Sequence, residues 1–213
     1  MRKIRIIEQI SLDGVIQQSV DENDFPYVNW TAPYRTPAGR ELILAAYGES
    51  FGLLLGRRTY DMWSGFWPKA PRSPMADGFN AATKYIATHR PEGLAWGPAE
   101  TLGSDIVEGI RRIKAQDGPD VILSGSSTLT STLLEHGLAD EVLLVVFPVL
   151  LGTGRASLRT APRHALSSSS ARKLWHRASS SALTSRTDLC APLPWAHRRK
   201  PTSESMGKRE DSK

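Results

Sequence analysis

Apolar positions in the first 154 residues fall into two alternating kinds of segment. Short runs rich in aliphatic residues occupy 3–10, 52–55, 84–88, 121–123 and 141–150, and each predicts a strand, with Gly56 closing the second. Between them the spacing becomes helical. Residues 40–50 place Leu42, Leu44 and Ala45 inward. Gly56-Arg57-Arg58-Thr59-Tyr60 opens a helix directly after a buried strand. Ser104 caps a helix carrying Ile106, Ile110 and Ile113 on one face, and Asp117-Gly118 stops it. Gly125-Ser126-Ser127 leads into a helix through Leu129 and Leu133 that Gly137 terminates. Residues 24–37 carry Pro, Asn and Trp without a period and read as a loop. The strands are apolar throughout rather than alternating, as in an α/β sheet covered on both faces.

This pattern fails after Gly154. Residues 156–185 are rich in Ser, Arg and Ala with neither period, and 192–213 read as a disordered basic tail. Charge changes sign at the same place. Residues 1–154 hold 14 Lys+Arg and 18 Asp+Glu (14 − 18 = −4), whereas 155–213 hold 13 and 4 (13 − 4 = +9). The formal net charge of +5 therefore averages an acidic domain and a basic segment, and says little about the domain's partners. The division expected is 1–154, a domain; 155–187, a replaced segment; and 188–213, a basic tail.

Cys190 is the sole cysteine, which excludes an internal disulfide framework. Glu8 and Gln9 interrupt any leader-like apolar run, and the apolar run at 142–151 is too short to span a bilayer and contains Pro148. A cytoplasmic location follows as the expectation, which leaves the Asn29-Trp30-Thr31 sequon without meaning. The five histidines and one cysteine show no metal-ligand spacing, and neither a Walker motif nor a doubly wound dinucleotide fingerprint is present.

Three short segments could hold phosphates. Gly56, Arg57, Arg58 and Thr59 join a strand end to a helix start, where free N–H groups, two guanidinium groups and a hydroxyl suit an anion. A tight turn with two solvated arginines explains the same residues, and is the simpler reading of the pentapeptide alone. Gly125, Ser126, Ser127 and Thr128 repeat the strand-to-helix arrangement, with ordinary serine capping as the competing account. Thr88, His89 and Arg90 sit at a strand's carboxyl end and could hold a nucleotide 2′-phosphate, or simply be solvated. Asp13 could supply a proton or orient a substrate, or serve as a turn residue before Gly14. Trp63 and Trp67 could line a pocket or fill the core.

Taken in order, the segments carry more than any one of them. Ser11-Leu12-Asp13-Gly14, Leu54-Leu55-Gly56-Arg57-Arg58-Thr59-Tyr60, Lys84-Tyr85-Ile86-Ala87-Thr88, Gly125-Ser126 and Phe147-Pro148-Val149-Leu150-Leu151-Gly152-Thr153-Gly154 together resemble the dihydrofolate-reductase-like family that includes the reductase (C-terminal) domain of the bacterial riboflavin-biosynthesis deaminase-reductase. The resemblance covers residues 1–154. It implies a mixed sheet flanked by helices, NADPH as cofactor, and hydride transfer to a small heterocyclic, carbonyl or imine substrate such as 5-amino-6-(5-phosphoribosylamino)uracil. It also implies that the turns at Gly56 and Gly125 hold the cofactor's phosphates, with Thr88 to Arg90 near the adenosine phosphate. A small-molecule substrate is the expected partner, a homodimer is left open, and neither a membrane nor a specific nucleic acid is expected. The alternatives are a non-catalytic or defective nucleotide-binding protein, and an interaction module acting through Arg198-Arg199-Lys200.

The family continues past this point with two further strands, which the chain does not spell. Another reading frame does. Beginning at Arg155-Ala156, permitted codons give RLFADGTAPRAFELVS and later TLASGVVVSTYKPN, with a stop spanning Thr187-Asp188. TCN serine codons shifted in this way give Phe, Leu, Ile or Val, so the runs at 167–170 and 179–181 become strand material, and Trp175-His176 is forced to alanine. Residues after Gly154 therefore read as a frameshift product, in a domain lacking its C-terminal edge hairpin. A genuine basic extension is the competing account.

Overall fold

A computed structural model describes residues 1–18 and 25–157, all within one unit, Met1–Ala182. The strands are β1 (Ile4–Ser11), β2 (Gly52–Gly56), β3 (Lys84–Ala87), β4 (Ala99–Thr101), β5 (Val121–Leu123) and β6 (Glu141–Phe147). The helices are α1 (Pro37–Tyr47), α2 (Arg57–Phe66), α3 (Pro74–Ala81), α4 (Ile106–Ala115) and α5 (Ser127–Glu135). The sheet order is β4-β3-β2-β5-β1-β6, and the named strands pair in parallel throughout. The antiparallel component among the described residues is one isolated bridge, Val15 to Ala156.

Alternation along each strand sorts side chains to two faces. Ile4, Ile6, Leu54, Val121 and Leu123 pack with Ile110 and Ile113 of α4 and Leu129 and Leu133 of α5. Ile7, Leu53, Leu55, Ile86 and Ile122 pack on the other face with Tyr47 of α1, Tyr60 of α2 and Phe79 of α3. A third cluster, Val15, Phe25, Trp30, Phe147 and Leu151, joins the segment after β1 to the end of β6. Both faces are covered, as the unbroken apolar runs require.

Several boundaries differ from expectation. α1 starts at Pro37, with Thr36 accepting the Gly39 N–H at 3.0 Å, so its inward residues are Ile43, Ala46 and Tyr47. Leu42 and Ala45 face solvent. Asp105, not Ser104, caps α4 by accepting the Glu108 N–H at 3.0 Å. β6 ends at Phe147 because Pro148 has no N–H to donate. The helix α3 and the strand β4 were not anticipated. α3 is marked only by the Ser73 cap and Pro74, and β4 is three residues long at the sheet edge. Of the segments expected at 155–187 and 188–213, all but residues 155–157 lie outside the described residues.

Gly109 shows how tightly α4 sits. A Cβ there would lie 2.7 Å from Leu102 Cβ and closer still to the Leu102 carbonyl oxygen. Helix propensity alone favours alanine over glycine by about 1 kcal/mol. The backbone contact leaves no room, so Gly109→Ala is expected to destabilise by about 1–3 kcal/mol in urea denaturation. A stabilised variant would show that α4 can lift off the sheet freely.

Candidate functional site

Parallel α/β sheets bind ligands outside the strands' carboxyl ends, where the strand order reverses. Here that place is the junction of β2, β5 and β1, since β5 is inserted between the strands that precede it. Two strand-to-helix turns meet there. A Cβ on Gly56 would lie 2.7 Å from Ser126 Oγ, and one on Gly125 would lie 3.4 Å from Thr59 Oγ1. The two glycines thus let the Gly56–Thr59 and Gly125–Thr128 segments close on each other.

The backbone of the second turn is unusual. Gly125 has φ 73° and Ser126 φ 63°, a left-handed conformation that a serine adopts at a cost. Ser126 does not cap α5 through its side chain, and Gly56 has none with which to cap α2. Both helices therefore begin at the site with first-turn N–H groups lacking a side-chain acceptor, and with the positive ends of their dipoles. Ser127 and Thr59 are buried beside these turns.

The third segment is tied to the first. Arg57 donates to Asp61 Oδ1 at 2.8 Å, to the Glu92 carbonyl at 2.9 Å and to the Arg90 carbonyl. Its guanidinium thus anchors the strap after β3. Thr88 Oγ1 accepts the Arg90 N–H at 2.9 Å and donates to the Arg90 carbonyl at 3.0 Å, fixing the turn that leaves His89 and Arg90 exposed. Arg58 is exposed at the start of α2. Gly56, Arg57, Arg58, Thr59, Thr88, His89, Arg90, Gly125, Ser126, Ser127 and Thr128 therefore lie at or after the carboxyl ends of the adjacent parallel strands β3, β2 and β5.

Asp13 has a different setting. Its carboxylate accepts from Ser11 Oγ at 2.6 Å and from the backbone N–H groups of Leu151 at 3.1 Å and Gly152 at 2.6 Å. The Ser11 hydroxyl first, and these amides with it, lower its pKa to about 2. In this arrangement Asp13 is an ionised clamp holding the chain after β6 against the end of β1. Trp63 and Trp67 pack on Phe79, Trp63 stacked at 5.1 Å and Trp67 edge-on at 4.5 Å. A depression of about 440 Å³ lined by Tyr60, Ser64, Pro68, Gly93 and Trp96 includes none of the phosphate-turn residues.

One residue at the site was passed over in sequence. Glu8 lies in the middle of β1 and is 3 % exposed, with Oε1 buried and unpartnered. Burial pushes its carboxyl from the usual 4.5 up to about 8, against a smaller opposing pull from the Gly125 backbone N–H. The available signal was phase: Glu8 alternates with Ile4 and Ile6, not with the partly exposed Arg5. Among the described residues there is no cluster of three His, Cys, Asp or Glu able to hold a metal ion, and no helix long and apolar enough to cross a membrane.

Comparison with known proteins gives the following. The RibD C-terminal domain family matches residues 2–174, a span that runs past Gly154. A Bacillus subtilis (strain 168) protein, "Uncharacterized protein YyaP", is 28% identical over 107 residues, 48% of this chain and 56% of that protein, so the chain spans little more than half the relative's length. Among solved structures, the "Putative riboflavin biosynthesis protein" from Shewanella sp. PV-4 superposes with a TM-score of 0.53 at 20% identity, covering 74% of this chain and 84% of the other. That likeness establishes the fold.

The clamp has a pH signature. A carboxyl lowered in the folded state adds stability above its unfolded pKa and loses it as pH falls through the folded value. Asp13→Ala should therefore lower the melting temperature at pH 7. The difference from wild type should shrink below pH 4 and vanish only once the pH has fallen through about 2, as followed by circular dichroism. Equal melting at pH 7 would show that the Leu151–Gly152 contacts contribute nothing.

Proposed function

Because the chain belongs to the RibD C-terminal domain family, a dihydrofolate-reductase-like reductase domain, we propose that it is built as an NADPH-dependent reductase of a small heterocyclic, carbonyl or imine substrate. The observation carrying this reading is the mutual approach of the Gly56 and Gly125 turns, with Ser126 Oγ 2.7 Å from where a Gly56 Cβ would stand. Two uncapped helix starts converge on one place, which suits a ligand with adjacent phosphates. The N–H groups that open α2 and α5 would hold the pyrophosphate. Arg58, His89 and Arg90, exposed beside these turns, would meet an adenosine phosphate. Arg57 would act by holding the strap at Arg90 and Glu92 in place. NADPH, when bound, supplies hydride; the protein supplies orientation and electrostatics. A pyrimidine such as 5-amino-6-(5-phosphoribosylamino)uracil is the substrate to try first, and the cytoplasm is the proposed location.

Charge-assisted hydrogen bonds contribute about 1.5–3 kcal/mol each. Replacing Arg57 and Arg58 together with Ala should therefore weaken NADPH binding by at least about tenfold, measured by fluorescence titration, while NADH is affected less. An unchanged NADPH affinity in the double variant removes the arginines from the site.

The frame reading bears on whether this chain can act. Among the described strands β6 stands at the sheet edge, and its Leu144 and Val146 are 41% and 51% exposed. We propose that the alternative frame after Gly154 encodes the strands that cover this edge. A protein restored to that frame should be more soluble, melt at a higher temperature and bind NADPH more tightly than the 213-residue chain. If the two behave alike in side-by-side melts with and without NADPH, the basic segment is a working part of the protein.

A further inference from the structure

Glu8 has no role in the scheme above, yet it is buried with Oε1 unpartnered, and the β1–β5 register that pairs Ile6 with Leu123, continued two residues, sets it beside Gly125. It sits on the central part of β1, next to β5 on one side and paired with Leu144 of β6 on the other. Among the described residues, no cation figures in the influences on its carboxyl. The residues that α5 buries are Ser127, Leu129, Thr130 and Leu133, and α4 buries Gly109, Ile110 and Ile113. From α1 the group that interacts with it is Tyr47, whose phenol is pushed up to about 12 by burial and by the Glu8 charge, against an opposing hydrogen bond with Ser124. Burial is the larger influence on Glu8 itself and the Gly125 N–H the smaller one. The same amide begins the turn whose following N–H groups open α5.

We propose that Glu8 is the proton-carrying residue of the phosphate turn: a phosphate ester can seat at Gly125–Ser126 only while Glu8 holds its proton, so binding of an anionic nucleotide fixes a proton on this side chain. This rests on the reading of the two turns as a phosphate site. The argument is electrostatic. A buried carboxylate beside Gly125 and a phosphate seated on the same turn would repel each other in a setting poorly screened by solvent. A neutral carboxylic acid removes that repulsion and leaves the helix dipoles to act on the ligand alone. The proton balance is simple. Where free Glu8 is ionised, binding takes one proton from solvent, and release returns it.

The test uses the full chain, wild type and Glu8→Gln, with two probes, NADPH and inorganic pyrophosphate, titrated calorimetrically from pH 6 to 9.5. Wild-type affinity should be level at low pH and fall toward tenfold per pH unit above about 8. In buffers of different ionisation heat it should take up close to one proton at the upper end. Glu8→Gln, a neutral isostere of the acid, should bind both probes with little slope beyond the ligand's own titration and take up none. Identical slopes in the two proteins overturn the proposal. Pyrophosphate binding with the Glu8-dependent slope, but no NADPH binding, sustains Glu8 and sinks the cofactor reading. NADPH binding without a Glu8-dependent slope does the reverse, and failure of both probes refutes both.

A ligand-free measurement guards against a variant that does not fold. A carboxyl raised on folding makes the native state bind more protons than the unfolded one between about 4.5 and 8. Wild type should therefore lose stability as pH rises through that window, and Glu8→Gln should gain relative to it. If Glu8→Gln is unfolded, infrared titration of wild type labelled with ¹³C-glutamate should still show one carboxylic acid persisting at pH 7. Its absence overturns the proposal.

Discussion

The close approach of β2 and β5 at their carboxyl ends is the constraint on which the site depends. These strands pair in parallel from Gly52 with Val121 to Leu54 with Leu123. Their exits are therefore forced side by side. Each chain must turn at once into a helix on its own face, α2 on one and α5 on the other. Ser126 Oγ then occupies the space that a side chain at residue 56 would need. A glycine at 56 and left-handed backbone at 125 and 126 are consequences of that geometry, and so are two uncapped helix starts facing one point. A larger residue at 56 would push the turns apart before it touched any ligand.

Much of the fold was legible because its strands are buried on both faces and announce themselves as unbroken apolar runs. β5 fell on residues 121–123 as read, and the face carried by Ile110 and Ile113 was found from spacing alone. What escaped reading has physical reasons. β4 has three residues, Ala99–Thr101, none of them strongly apolar, and it pairs only as an edge. The inward face of α1 was misassigned because Leu42 is hydrophobic yet lies off the stripe that Ile43, Ala46 and Tyr47 define once the helix starts at Pro37. Hydrophobicity names candidates for burial, and the phase of the helix decides among them.

The site was legible in its backbone features and poorly legible in its charges. Glycines and serines at strand exits marked the two turns, although a tight turn and serine capping account for the same residues. The roles of the ionisable groups were not readable, since each depends on partners far along the chain. Asp13 is held by amides of residues 151 and 152, and Arg57 by carbonyls of residues 90 and 92. Lys84, the first residue of β3, is fully buried because it donates to the carbonyls of Asn80 at 2.8 Å and Gly97 at 3.1 Å and lies 4.3 Å from the Trp96 ring centre. Its burial pulls its pKa down to about 8.

A general point about anion recognition follows from the charge distribution. Residues 1–154 carry a net −4, so attraction at long range does not favour a polyphosphate. On the proposed reading, what would favour it is local and fixed: amide groups and helix dipoles that need no mobile counter-charge and lose no side-chain entropy on binding. Arg57 illustrates the same economy, since its guanidinium is spent on the protein's own strap and on Asp61. A site built from dipoles is sensitive to any full charge placed among them, because a partial charge of about half a unit at each helix end is outweighed by one nearby carboxylate. Glu8 is such a carboxyl, and its burial raises its pKa to about 8. On the proposed reading, the same desolvation that makes Glu8 costly to ionise would make a dipole-based phosphate site workable beside it.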